Sequence, residues 1–127
     1  MNEVLTVSVI MPVYNGRDFI TRSLPPLIAM LRRGELSEVI VVDDTSSDET
    51  PTLAAEMGAR VIPSGGRLGP GGARNQAARL AVGEILWFVD ADVVVHEDAA
   101  RELRSAAAGP VGGHGNDAVG ALDKVPE

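Results

Sequence analysis

The chain has 127 residues, 45% of them hydrophobic, which is material for one ordinary domain with a core and too little for two. Ten arginines and one lysine stand among eighteen acids for a net charge of −7, with no basic stripe, so nucleic acid is not an expected partner. The lack of cysteine excludes disulfides and thiolate metal sites, and no apolar run approaches the ~18 residues that span a bilayer.

The start, Met1-Asn2-Glu3-Val4, lacks the basic flank and long apolar core of a signal peptide, and the expected location is cytoplasmic. Leu5 to Val13 is β-branched and nearly all apolar, the pattern of a strand covered on both faces, with Pro12 near its end. From Asp18 to Arg33 apolar residues recur at helical spacing, although Pro25-Pro26 is expected to distort or break the first turns. Val39 to Val42 is the second strand, followed by a loop rich in capping residues and a helix over Pro51 to Met57 that Gly58 ends. Arg60 to Ile62 is a short third strand, Ser64 to Gly72 a glycine-rich loop, and Ala73 to Val82 a helix with Pro70 near its first turn. Ile85 to Val89 is the fourth strand, and His96 to Ala107 the last helix, with Glu97 and Asp98 suited to its N-terminal dipole. Alternating strands and helices predict an α/β fold, a mostly parallel sheet of about four strands flanked by helices. Residues 1–108 form that domain, and 109–127 read as an irregular tail.

Chemistry concentrates where apolar runs end. Asp90-Ala91-Asp92 closes the fourth strand, and alternation along extended backbone would place both carboxylates on one side, toward a single cation. A hard ion such as Mn2+ or Mg2+ takes one or two protein carboxylates and completes its shell with phosphate oxygens and water. Asp92 is the expected direct ligand, while Asp90 holds a ligand hydroxyl or a metal-bound water. Asp43-Asp44 ends the second strand in the same way, and ligands of open α/β sheets bind beyond the carboxyl ends of strands, so the two pairs would share a crevice. The alternative for Asp43 and Asp44 is to cap the loop that follows.

Gly69-Pro70-Gly71-Gly72-Ala73-Arg74-Asn75 runs from loop into helix, a place where backbone approaches an anion closely. A guanidinium in the first turn would oppose the helix dipole, so Arg74 is expected to face a diphosphate or an acid pair. Tyr14, the chain's one tyrosine, follows the first strand and either stacks on a base or packs in the core.

Together these residues resemble the nucleotide-sugar-binding half of family 2 glycosyltransferases of the A-type fold, a Rossmann-like unit. The matches are Ser8 to Asn15, Val41 to Thr50, Gly69 to Asn75 and Asp90-Ala91-Asp92, in the family's order, covering roughly residues 6 to 105. The resemblance implies a UDP- or GDP-sugar donor and a Mn2+ or Mg2+ ion that Asp92 binds across the diphosphate. It also implies that Pro12 and Tyr14 line the base pocket, that Asp44 hydrogen-bonds the base and that Arg74 lies near the base and phosphates. Asp90 would then approach the ribose or sugar, and residues 1–108 are the nucleotide-sugar-binding domain.

The family's second half, with its acidic base, is not recognisable in residues 93–127, so the chain is expected to be a partial enzyme with no nominated catalytic base. An incomplete sheet would favour self-association or a partner chain that completes the fold. His96 and His114 are read as solvated in preference to metal ligands. Among rivals, a haloacid dehalogenase-like phosphatase shares Asp-x-Asp-Val but places it on its first strand. A dinucleotide-binding dehydrogenase would need its glycine-rich turn where Pro12-Val13-Tyr14-Asn15 stands. The non-enzyme alternative is a module that binds a nucleotide-sugar without transferring it.

Overall fold

A computed structural model describes residues 5–107 and 122–124. The elements are β1 (Val7–Val13), α1 (Arg17–Arg32), β2 (Glu38–Asp43), α2 (Thr50–Met57), β3 (Arg60–Pro63), α3 (Gly69–Ala78), β4 (Ile85–Phe88), β5 (Val93–Val95), α4 (Ala99–Ala107) and β6 (Leu122–Lys124). The first four strands form a parallel sheet in the order β3-β2-β1-β4, while β5 and β6 pair antiparallel. Every residue of β1 is buried, which is why it reads as a continuous apolar run and not as an alternating one. Pro12 fits inside it because Ile10 O, of the same parity, bonds toward β4 through Val89 N–H, and β4 pairs no further than Ile10↔Phe88. The missing N–H therefore points past the end of the neighbouring strand.

Both sheet faces are covered. Ile20, Leu24 and Leu27 of α1 and Ala54 of α2 pack with Val9, Met11, Val39 and Val41, and each fully buried aliphatic side chain contributes about 1.5–3 kcal/mol. On the opposite face Ala73 and Ala77 of α3 meet Ile10, Ile40 and Val42, the small alanines letting the helix sit close to the strands. The order grows outward from β1 to β3 and then returns to the other side of β1 for β4. That reversal between β1 and β4 is the switch point beyond which an open α/β sheet forms its ligand crevice. Among the described residues β4 has a partner on one side only, and its Leu86 and Phe88 are exposed.

Several expectations need correction. Pro25 and Pro26 lie inside an uninterrupted α1, whose buried residues Ser23, Leu24, Leu27 and Ile28 flank them and hold the helix on the sheet. The α3 helix starts at Gly69, four residues earlier than expected, and ends at Ala78. Its tail is turned toward β4 because Glu38 accepts the Val82 N–H at 2.7 Å and Ser8 Oγ accepts the Gly83 N–H at 2.8 Å. A Cβ on Gly83 would lie 2.6 Å from Ser8 N, so this crossing requires glycine. The last helix begins at Ala99 and not at His96, since Val93–Val95 forms a strand too short for its pattern to announce. The segment expected to be an irregular tail supplies β6, registered with Lys124 opposite Val93.

Candidate functional site

The site is built on the loops that leave the carboxyl ends of β1, β2 and β4. After β1 and β2 the chain reverses through Asn15 (φ 48°) and Thr45 (φ 68°), left-handed residues that are costly for a β-branched side chain. Their loops are bolted to each other: Asn15 N–H donates to Ser46 Oγ at 2.8 Å, Ser47 N–H to Asn15 Oδ1 at 2.7 Å, and Gly16 N–H to Thr50 Oγ1 at 3.1 Å. A Cβ on Gly16 would meet Val13 Cγ2 at 2.4 Å, so the turn into α1 also depends on glycine. The result is a rigid rim around the crevice.

Asp43 and Asp44 are both buried, and they do different things. Asp43 caps the following loop through Oδ2, which accepts the Ser46 N–H at 3.2 Å, while its Oδ1 is buried without a hydrogen-bond partner among the described residues. Asp44 reaches across to the segment 64–69. Its Oδ1 accepts from Ser64 Oγ at 2.8 Å and Leu68 N–H at 2.9 Å, and its Oδ2 from Gly69 N–H at 2.9 Å and Arg67 Nε at 3.3 Å. Burial alone would raise its pKa, but these donors outweigh burial and hold it at about 2. The two backbone donors lie at the start of α3, which has no side-chain cap of its own, so Asp44 satisfies the orphan N–H groups of that helix.

Arg74 is the sixth residue of α3, beyond the first turn, so the dipole argument for its placement does not apply. Asp90 is what holds it: Arg74 Nη2 donates to Asp90 Oδ1 at 2.8 Å. Arg74 Nε is buried without a partner among the described residues. Asp90-Ala91-Asp92 lies on a turn closed by Val93 N–H to Asp90 O at 3.0 Å, and not on extended backbone, so alternation is not what orients its carboxylates. The turn exists because Val93–Val95 leaves the parallel sheet to pair with β6.

Tyr14 is 45% exposed, which removes it from the core, and the Arg67 guanidinium carbon sits 3.5 Å from its ring centroid. Pro12 is buried in β1, and strand alternation places it on the same face as Ile10. Thus Tyr14, Asp43, Asp44, Arg74, Asp90 and Asp92 gather at one end of the sheet. Sequence reasoning missed Ser64 and Arg67, for which the glycine-rich stretch around them was the one available signal. His114 lies outside the described residues. Among the described residues no three histidine or acidic side chains cluster as a metal cage, and no helix is long and apolar enough to cross a membrane. A hard ion would here draw on Asp92 and on the oxygens of a bound ligand, a donor set that suits Mn2+ or Mg2+.

Residues 8–112 match the family model for glycosyl transferase family 2. The succinoglycan biosynthesis protein ExoO of Rhizobium meliloti is 36% identical over 114 residues, 86% of this chain and 32% of the relative. Two solved structures share the architecture. The mannosyltransferase PcManGT from Pyrobaculum calidifontis, in complex with GDP-Man and Mn2+, superposes with a TM-score of 0.77 at 30% identity, over 86% of this chain and 34% of the other. Glucosyl-3-phosphoglycerate synthase from Mycobacterium tuberculosis, in complex with Mn2+, UDP and phosphoglyceric acid, gives 0.75 at 27% identity, over 85% and 40%. The chain therefore spans about a third of the length of these relatives. By family model, sequence and fold together, it belongs to glycosyl transferase family 2 and carries the A-type α/β architecture of its solved neighbours.

Proposed function

We propose that this domain binds the nucleoside diphosphate part of a UDP- or GDP-sugar in the crevice beyond β1, β2 and β4, for glycosyl transfer to an acceptor. The observation that carries the reading is the 2.8 Å ion pair between Arg74 and Asp90, which draws the glycine-rich helix start and the Asp-x-Asp turn to one place. Tyr14 offers a ring face to a base and Asp44 a carboxylate to its N–H groups, with Pro12 behind them. Asp43 Oδ1 and Arg74 Nε are buried polar atoms that a ligand's hydroxyl and phosphate groups would satisfy. A Mn2+ or Mg2+ ion held by Asp92 and the diphosphate would act as the Lewis acid that stabilises the departing nucleoside diphosphate. Arg74 adds a fixed cation beside that charge.

The relatives complexed with UDP or GDP-Man support the donor class, and their Mn2+ supports the metal. A second reading, a binding module that needs a partner chain or self-association to complete the site, is favoured by the pairing of β4 on one side only among the described residues and by exposed Leu86 and Phe88. Calorimetric titration with UDP and GDP, with and without Mn2+, tests the first reading. Metal-dependent binding lost in Asp92→Ala is expected, and a folded chain that binds neither nucleotide would overturn it. A concentration-dependent mass in sedimentation is expected for the second reading, and a monomer at all concentrations would remove it.

A further inference from the structure

The proposed base site is already filled by a side chain of the protein. Arg67 lies over Tyr14 with its guanidinium carbon 3.5 Å from the ring centroid, and its Nε donates to Asp44 Oδ2 at 3.3 Å. A planar, π-bearing group that covers the Tyr14 ring and gives an N–H to Asp44 takes the place a nucleobase would take there. The carboxylate has no capacity to spare: two oxygens with about four lone-pair sites accept from Ser64, Leu68, Gly69 and Arg67. A base imide can bond to Asp44 only if one donor leaves.

The four donors are not equal. Leu68 and Gly69 give backbone N–H groups at 2.9 Å from the start of α3, and releasing them would uncap that helix. Arg67 makes the longest of the four bonds, and its side chain is 53% exposed against 5% for Asp44. It can swing into water at little cost, and in doing so it frees the Tyr14 face and one acceptor site together.

We infer that Arg67 is an internal competitor for the nucleobase, a removable plug that a nucleotide must displace to reach Tyr14 and Asp44. The inference rests on the assignment of those two residues to the base pocket. It makes Arg67 a residue that sets affinity, in a segment where Gly65 (φ 85°) and Gly69 (φ 76°) supply the backbone freedom to move.

The sign of one substitution separates this from the ordinary role of a cation near a polyanion. Loss of a positive charge beside a diphosphate weakens binding by Coulomb's law, whereas loss of a plug tightens it. Titrations with UDP and with GDP, both in the presence of Mn2+, would compare the intact chain with Arg67→Ala. Tightening of about fivefold is expected, the size of one exposed cation–π contact together with a surface ion pair. Unchanged or weakened binding in Arg67→Ala would overturn the plug, the weakened case making Arg67 a second wall of the pocket. Tyr14→Ala is the control on the underlying assignment and should bind about tenfold more weakly. If the intact chain binds and Tyr14→Ala binds equally well, the base lies elsewhere and the assignment fails, whatever Arg67 does. If neither the intact chain nor Arg67→Ala binds while the near-ultraviolet signal of Trp87 shows a folded core, nucleotide binding itself is refuted.

Discussion

Strand β2 has a carboxylate at each end, Glu38 half-buried and Asp44 buried, and the two ends put the same chemistry to different use. Glu38, at the amino end, accepts Ser8 Oγ at 2.6 Å, Val82 N–H at 2.7 Å and Arg60 Nη1 at 3.1 Å, and so staples β1, β3 and the approach to β4. Asp44, just past the carboxyl end, accepts four donors and staples the start of α3. Burial pushes each upward, yet each is held below the usual carboxylate range, by the bonds from Ser8, Val82 and Arg60 in one case and from Leu68, Ser64, Gly69 and Arg67 in the other. A carboxylate saturated with donors is therefore not itself a mark of function. What differs is the surroundings: of the two, only Asp44 stands beside an exposed aromatic ring with Arg67 over it and next to a second buried acid, Asp43, with an oxygen that has no partner among the described residues.

The largest expected effect is that of Asp44→Ala, which strips the acceptor from four donors and should lower unfolding stability by about 3 kcal/mol in urea titrations while abolishing nucleotide binding. Glu38→Ala should cost about 2 kcal/mol for the same reason and leave the affinity for UDP or GDP unchanged. A matching loss of binding there would erase the distinction between the two ends. Acid sharpens the comparison further. Because the Asp44 pKa is lowered from 3.8 to about 2, its stabilising contribution is fully present above pH 4 and is lost as pH falls toward 2. The urea midpoint measured across that window should fall more gently in Asp44→Asn. Smallest is Asp90→Asn: the pair with Arg74 is half exposed at Asp90, so stability should change by less than about 1 kcal/mol while nucleotide binding weakens.

Much of this was legible in the residues. Unbroken apolar runs gave the strands, and acids or glycines at their ends marked the crevice, because a parallel sheet aligns those ends whatever the loops do. Local pattern misled where tertiary contacts prevail. Pro25-Pro26 stays helical because the residues around it are buried on the sheet, and α3 begins at Gly69 because a distant carboxylate caps it. The turn at Asp90 had no signature, since it depends on where Val93–Val95 finds a partner.

The sequence by itself determined the α/β order, the family and the set of acids and arginines at the strand ends, because burial periodicity and residue chemistry are local properties. Only the tertiary structure decided which charge meets which. Arg74 faces Asp90 and Arg67 covers Tyr14 because hydrogen-bond valence and packing across distant loops select among partners that composition leaves equivalent.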